Sequence, residues 1–159
     1  MHSILYRILA VAAAVLHFSM AACALSQAAG QSPDVPFVTV DRGFNSGIRE
    51  RKLLVIKTEK EWKDLWQAHT AITTPPKSLP AVDFEKEMIV AVFSGEKPSG
   101  GHGIEILKIE EDSAKPEVRV TFREMKPPAG GMVTAALTQP YHIVKLKKVD
   151  LPVVFVSQR

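Results

Sequence analysis

The chain is poor in cysteine: it has one, Cys23, among 159 residues. No disulfide can form within it, so an apolar core must hold the fold, although an oxidising compartment would permit disulfides. The chain also lacks a large excess of one charge sign: 20 Lys and Arg residues are balanced by 17 Asp and Glu residues, and the formal net charge is +3. Phosphate contacts need a concentrated basic face. The charge balance therefore argues against nucleic acid as a partner.

Long apolar runs are scarce too, and the longest lies near the N-terminus. Residues 8–16 follow Arg7 and are interrupted by His17. The run is too short for a transmembrane helix, which needs about 20 apolar residues. A basic residue, an apolar segment and then small residues are typical of a signal peptide, which we predict at residues 1–22. The protein is therefore expected to be exported to a cell envelope.

Cys23 directly follows this predicted signal peptide. The small residues before it resemble a bacterial lipoprotein cleavage site, so we predict that Cys23 is lipidated and anchors the protein to a membrane. The alternative is cleavage after residues 26–28, which follow the small-x-small rule and would remove Cys23. Residues 23–35 lack hydrophobic periodicity and are predicted to be a flexible tether. The folded domain is predicted at residues 36–159.

The rest of the chain alternates short strand patterns with turn residues. The run at residues 88–93 is continuously apolar, which predicts a central strand covered on both faces. The alternation changes phase at Leu107, which predicts either a bulge or a twisted strand. The predicted fold class is mainly β (α+β), a β-sandwich or barrel-like sheet of about eight short strands with one packed amphipathic helix. The predicted strands are residues 37–40, 53–56, 88–93, 104–109, 118–123, 132–137, 141–146 and 153–156.

The predicted helix follows Thr58 and Glu61, which have the spacing of a capping box. Since the helix lies between two apolar strands, a right-handed parallel crossover is one way to join them. Its apolar face is interpreted as packing on a sheet, with an aromatic ligand platform as the alternative. His69, at the end of the helix, is either a favourable positive charge near the helix C-terminus or a boundary residue held by hydrogen bonds. This apolar face is predicted from sequence spacings of three and four residues, which place four side chains on the same side of the helix: Trp62, Leu65, Trp66 and His69.

Two loops rich in proline and glycine are the most informative feature. The first glycine loop is residues 97–102 (KPSGGH), and the second glycine loop is residues 126–131 (KPPAGG). Loops on a rigid scaffold often carry binding, and glycine lets a backbone approach a partner closely. We predict a protein-binding surface here; the alternative is that the glycines only shape turns. The predicted contact residues are Pro98, Ser99, Gly100, Gly101, His102, Pro127, Pro128, Gly130, Gly131, Gln139, Pro140 and Tyr141.

Much of the chain resembles the PrcB C-terminal domain family. The resemblance lies in residues 88–93 (MIVAVF), 97–102 (KPSGGH), 136–144 (ALTQPYHIV) and 150–156 (DLPVVFV). The sequence departs from the family at His102, where an aromatic residue is common, and at Gly131, where relatives often carry cysteine. The resemblance implies an accessory subunit that associates with and stabilises a protease in a bacterial surface complex. It implies no peptidase activity for this chain.

Two further functions are compatible with the residues. The glycine loops and Gln139-Pro140-Tyr141 resemble, in order, three loops of chagasin-type cysteine-protease inhibitors. A metal-dependent enzyme would need His102, Glu105 and His142 to converge, since zinc sites need three or four ligands. No nucleophile motif or phosphate loop accompanies these residues. We therefore predict a non-catalytic protein without a cofactor.

Overall fold

Seven β-strands and one α-helix form the part of the chain that the computed structural model describes, residues 32–158. The predicted mainly β, α+β class is confirmed. The strand predicted at residues 132–137 is wrong: this segment is exposed and irregular, because the neighbouring first glycine loop turns at residues 100–101 and offers no extended partner. In chain order the elements are β1 (Phe37–Gly43), β2 (Arg51–Ile56), α1 (Glu59–Thr70), β3 (Glu87–Ser94), β4 (Gly103–Glu111), β5 (Val118–Met125), β6 (Tyr141–Lys147) and β7 (Val153–Gln158).

The strands form two sheets that pack face to face, as in a β-sandwich. The order is β1-β6-β3-β2 in the four-stranded sheet, whose neighbours are all antiparallel, and β4-β5-β7 in the three-stranded sheet. Within the latter, β5 and β7 are parallel. Of the two alternatives for the phase change in β4, the bulge is confirmed, since the register shifts between Ile106 and Lys108. The core between the sheets includes Met88, Val90, Val92, Ile104, Ile109, Val120, Phe122 and Val144.

Strand β3 is buried on both faces, as its continuous apolar run predicts. Val90 and Val92 face the three-stranded sheet, whereas Ile89, Ala91 and Phe93 belong to a second core on the opposite face. This alternation follows from the period of two in a strand. Helix α1 covers the second face, so the domain has three layers.

Helix α1 begins after Thr58, whose hydroxyl oxygen accepts from the Glu61 amide at 3.3 Å, and the predicted cap is confirmed. The parallel crossover considered as one way to join the strands is not formed, because β2 and β3 are antiparallel neighbours. The segment after α1 returns across the helix instead, held by two indole N–H groups. Trp62 donates to the Pro80 carbonyl at 3.0 Å, and Trp66 donates to the Lys77 carbonyl at 3.2 Å.

The segment before β1 joins the three-stranded sheet. The Val35 amide donates to the Ile109 carbonyl at 2.8 Å, and the Glu111 amide donates to the Pro33 carbonyl at 3.0 Å. Val35 is buried in the sandwich core. Residues 33–43 therefore pass from the edge of one sheet to the edge of the other, and the last residues of the predicted tether are part of the fold.

The predicted signal peptide and Cys23 lie outside the described residues. Within residues 32–158, no helix combines the length and the hydropathy that crossing a bilayer requires.

Candidate protein-binding site

The first glycine loop lies against the segment that follows the second glycine loop. Lys97 and Thr138 exchange two backbone hydrogen bonds, at 2.8 and 3.0 Å, and the Gly100 amide donates to the Thr134 carbonyl at 2.9 Å. The Thr138 hydroxyl also donates to the Ser99 carbonyl at 3.0 Å. These bonds extend the pairing of β3 with β6 beyond the sheet, so both segments are held at one end of the sandwich.

An apolar groove lies between these segments. Its cavity volume is about 470 Å³. An adjoining cleft of about 350 Å³ shares Phe44, Gly103 and Met125 with it. We call the first cavity the apolar groove; its lining is Phe44, Asn45, Gly100, Gly101, His102, Gly103, Met125, Thr134, Ala136, Leu137 and Thr138.

Large apolar side chains are exposed in and beside the groove. Phe44 and Leu137 line it, and each is 59% exposed; Met132 and Val133 in the same irregular segment are also exposed. Large apolar side chains exposed around a groove are candidates for an interaction site. The sequence prediction missed Phe44, because a single phenylalanine between β1 and β2 carries no periodic signal.

The glycines also shape the loops, as the alternative prediction proposed. Gly101 and Gly130 have φ of +79° and +72°, a region that residues with a Cβ rarely adopt. A Cβ on Gly101 would lie 2.9 Å from Pro127 Cβ, so this residue also allows the two glycine loops to meet. Gly100 differs, since its φ is ordinary and a Cβ there would only contact Thr134 at 3.4 Å.

Three of the predicted contact residues are buried and cannot form part of the contact surface. The two glycine loops are exposed or half-buried, whereas Gln139, Pro140 and Tyr141 are all buried. The Pro140 carbonyl accepts from the Ser94 amide at 2.9 Å, and the Gln139 amide group donates to Glu96 at 3.0 Å. These three residues support the groove from within. The resemblance to a three-loop inhibitor therefore lacks its third surface element.

The three candidate metal ligands do not form a site. Burial alone would raise the pKa of Glu105, but the guanidinium groups of Arg42 and Arg123, at 2.6 and 3.3 Å, hold it below its usual range. His102 lines the groove, whereas His142 is buried between the sheets. Within residues 32–158, no group of three His, Cys, Asp or Glu side chains could hold a metal ion.

His142 instead joins the two sheets. Its Nδ1 accepts from the Ile106 amide at 3.0 Å, so its proton lies on Nε2, which donates to the Thr39 hydroxyl at 2.9 Å. Burial lowers the pKa of His142 to about 4, and the positive charge of Arg42 adds to this effect, against the opposing charge of Glu105. The imidazole is therefore neutral near pH 7.

Sequence reasoning missed a polar cluster in which buried Ser46 and His69 are joined to half-buried Asp41. The Ser46 hydroxyl is 2.9 Å from His69 Nδ1, and His69 Nε2 is 3.2 Å from an Asp41 carboxylate oxygen. Burial lowers the pKa of His69, so the neutral ring accepts from Ser46 and donates to Asp41. Lys77 donates to the same oxygen at 2.7 Å. The bulge that follows Thr39 in β1 turns Asp41 toward the helix.

The order of these groups resembles a hydrolytic triad, but access is missing. Ser46 and His69 are each 1% exposed, and the imidazole lies against the rings of Trp66, Phe93 and Tyr141. A nucleophile must lie within bonding reach of a substrate carbonyl. This cluster therefore connects β1, the loop after it and the end of α1, and His69 is the hydrogen-bonded boundary residue of the two alternatives.

The match to a known family covers the strands and loops that build the groove. The PrcB C-terminal family model matches residues 88–147, which include β3 from its second residue, β4, β5, β6 and both glycine loops but not Phe44 and Asn45 of the groove lining. No curated protein and no solved structure is a significant match to the chain. The family resemblance seen in the sequence is thus confirmed over residues 88–147, which match the PrcB C-terminal family model.

Proposed function

We propose that this chain is a non-catalytic, exported protein-binding module that acts as an accessory subunit of a protease complex. The observation that carries the proposal is the apolar groove, where two hydrogen-bonded glycine-containing segments and Phe44 leave large apolar side chains in solvent. The family match supports an accessory role, since most of the groove lining lies within the matched residues.

The groove favours a partner that inserts an apolar side chain between backbone walls. Its lining contains no acidic residue. Among the described residues, Lys97 and Lys126, which lie close to lining residues in sequence, form no ion pair. Unpaired positive charge at a rim steers acidic partners. The expected contact is an apolar anchor flanked by acidic residues.

Replacing Phe44 or Leu137 by aspartate is expected to remove partner binding. Both side chains are 59% exposed, so the fold should tolerate the change, while a charge in an apolar contact weakens binding by about 2 kcal/mol or more, roughly 30-fold. The measurement is the yield of each protein that co-purifies with the tagged full chain from native envelopes, identified by mass spectrometry.

The matched control is Val38→Asp, which places the same charge on a side chain that is 65% exposed on β1 and does not line the groove. A partner lost from both groove variants and kept by this control supports the proposal, provided that the partner is a protease or a member of its complex. Equal yields from all three variants would reject the groove as the binding site. A purified protease that loses turnover with the chain would identify an inhibitor instead.

Membrane attachment through Cys23 is a separate part of the proposal. The Cys23→Ser chain is expected to lose incorporation of a fatty-acid label and to leave the membrane fraction, because the chain has no other cysteine to acylate. The measurement is labelling followed by fractionation, with the unaltered chain alongside. If the variant stays labelled and membrane-bound, lipidation at Cys23 is refuted.

A further inference from the structure

The sandwich has four edge strands, and three of them are guarded against pairing. The edge of β4 is occupied by residues 33–35 and by His142. Strand β1 contains a bulge, and β2 begins with two exposed cations, Arg51 and Lys52. Bulges, charges and covering segments are the devices by which natural sheets avoid edge-to-edge association.

Strand β7 has none of these devices in the part of the chain that the structure describes. Val153–Gln158 contains no charged residue and no proline, and its register with β5 is continuous. On its outer face Val154 and Val156 are each 39% exposed. No segment of residues 32–158 pairs with its outer edge, which there presents unpaired backbone donors and acceptors beside exposed β-branched side chains.

The side of the sandwich at β7 is also incompletely covered. The Arg42–Glu105 ion pair joins β1 to β4, so β2 and β7 lie at the opposite side of the two sheets. Because the second sheet has three strands and the first has four, the second sheet ends one strand short on this side. Apolar side chains on both strands pack against the core but remain partly exposed: Leu53, Val55, Val153 and Phe155. One more strand beside β7 would extend the smaller sheet and cover them.

We propose that β7 pairs antiparallel with β7 of a second copy of the chain. A two-fold interface needs a patch that complements itself, and β7 meets this condition around Phe155. A register centred on Phe155 sets Val154 opposite Val156 of the second copy and pairs the two phenylalanine rings, both favourable cross-strand combinations. The strand is neutral, so pairing with itself brings no like charges together. The surface shares no residue with the apolar groove.

The mass of the purified full chain in mild detergent tests this proposal. A dimer is expected, and the V154K/V156K chain should be monomeric, because four opposed lysines would repel. Both valines are partly exposed, so the variant should fold, which its thermal unfolding would verify. The matched control is Val38→Lys, an exposed valine on β1 that should leave the dimer intact.

The outcomes separate the alternatives. A wild-type chain that stays monomeric up to about 100 µM overturns the proposal, since a dimer with a dissociation constant of about 1 µM would be nearly complete there. A dimer that survives the two lysines uses another surface and also overturns it. Register is tested in a Cys23→Ser background, where Val154→Cys in one copy should form a disulfide with Val156→Cys in the other. Loss of partner binding through the groove would leave these results unchanged.

Discussion

Acidification from pH 7.5 to 4.5 is expected to lower the free energy of unfolding by about 2–3 kcal/mol through His142 alone. The folded state holds the pKa of His142 at about 4, against 6.5 for a histidine in an unfolded chain. The unfolded chain therefore binds a proton below pH 6.5, while the folded chain does not until about pH 4. The contribution is fully present above pH 6.5 and is lost as the pH falls toward 4.

The effect is large because protonation of the buried imidazole is unfavourable in the folded state. His142 is 3% exposed, its Nδ1 already accepts from the Ile106 amide, and the positive charge of Arg42 also opposes protonation. His69 acts in the same direction, since burial lowers its pKa as well. Asp41 acts in a separate window: the pKa of its carboxyl is lowered, so its contribution is lost only below about pH 4.

Urea unfolding at closely spaced pH values between 7.5 and 4.5 measures this slope. The matched variant is His142→Asn, whose side-chain oxygen can still accept from the Ile106 amide but cannot titrate. The variant is expected to be less stable at pH 7.5 and to show a clearly shallower loss on acidification. A slope equal to that of the unaltered chain would contradict the assignment to His142.

Replacing Trp62 by alanine is expected to remove about 3–5 kcal/mol of stability. The indole is 1% exposed, lies 5.1 Å from the Trp66 ring between centroids, and donates to the Pro80 carbonyl. The change leaves a cavity between α1 and the four-stranded sheet and releases the returning segment from the helix. Since a domain of this size is stable by about 5–15 kcal/mol, a large part of its stability would be lost.

The conservative control is Trp62→Phe, which keeps an aromatic ring and removes the hydrogen bond to Pro80. It should lose less, about 1–2 kcal/mol. The measurement is urea unfolding followed by fluorescence, because Trp66 remains as the second tryptophan of the chain. If the alanine variant lost no more than the phenylalanine variant, the hydrogen bond rather than the packing of Trp62 would account for the stabilisation.

Local patterns predicted the elements well where a single segment determines them. The cap at Thr58, the doubly buried β3 and the bulge after Ile106 each follow from residues close in sequence. The strand predicted at residues 132–137 failed because its apolar side chains are a surface feature. Strand formation needs a pairing partner, and the turn at residues 100–101 removes it.

Only part of the candidate site could be predicted from the sequence, because the rest depends on contacts between distant segments. Composition identified the two glycine loops, but the walls of the groove depend on a bond between Gly100 and Thr134, which a sequence pattern does not encode. The burial of Tyr141 was missed since Gly43, on the neighbouring strand, leaves room for its ring. Likewise, Asp41 meets His69 only because of the bulge in β1.

The passage of residues 33–43 between the two sheet edges has a mechanical consequence. Any force that enters the domain through residue 32 first acts on the short pairing of Pro33 and Val35 with β4. The longer β1–β6 ladder lies behind it and carries the load only after that pairing opens. We therefore expect this short pairing to open first under tension, while the apolar groove, which it does not line, keeps its shape.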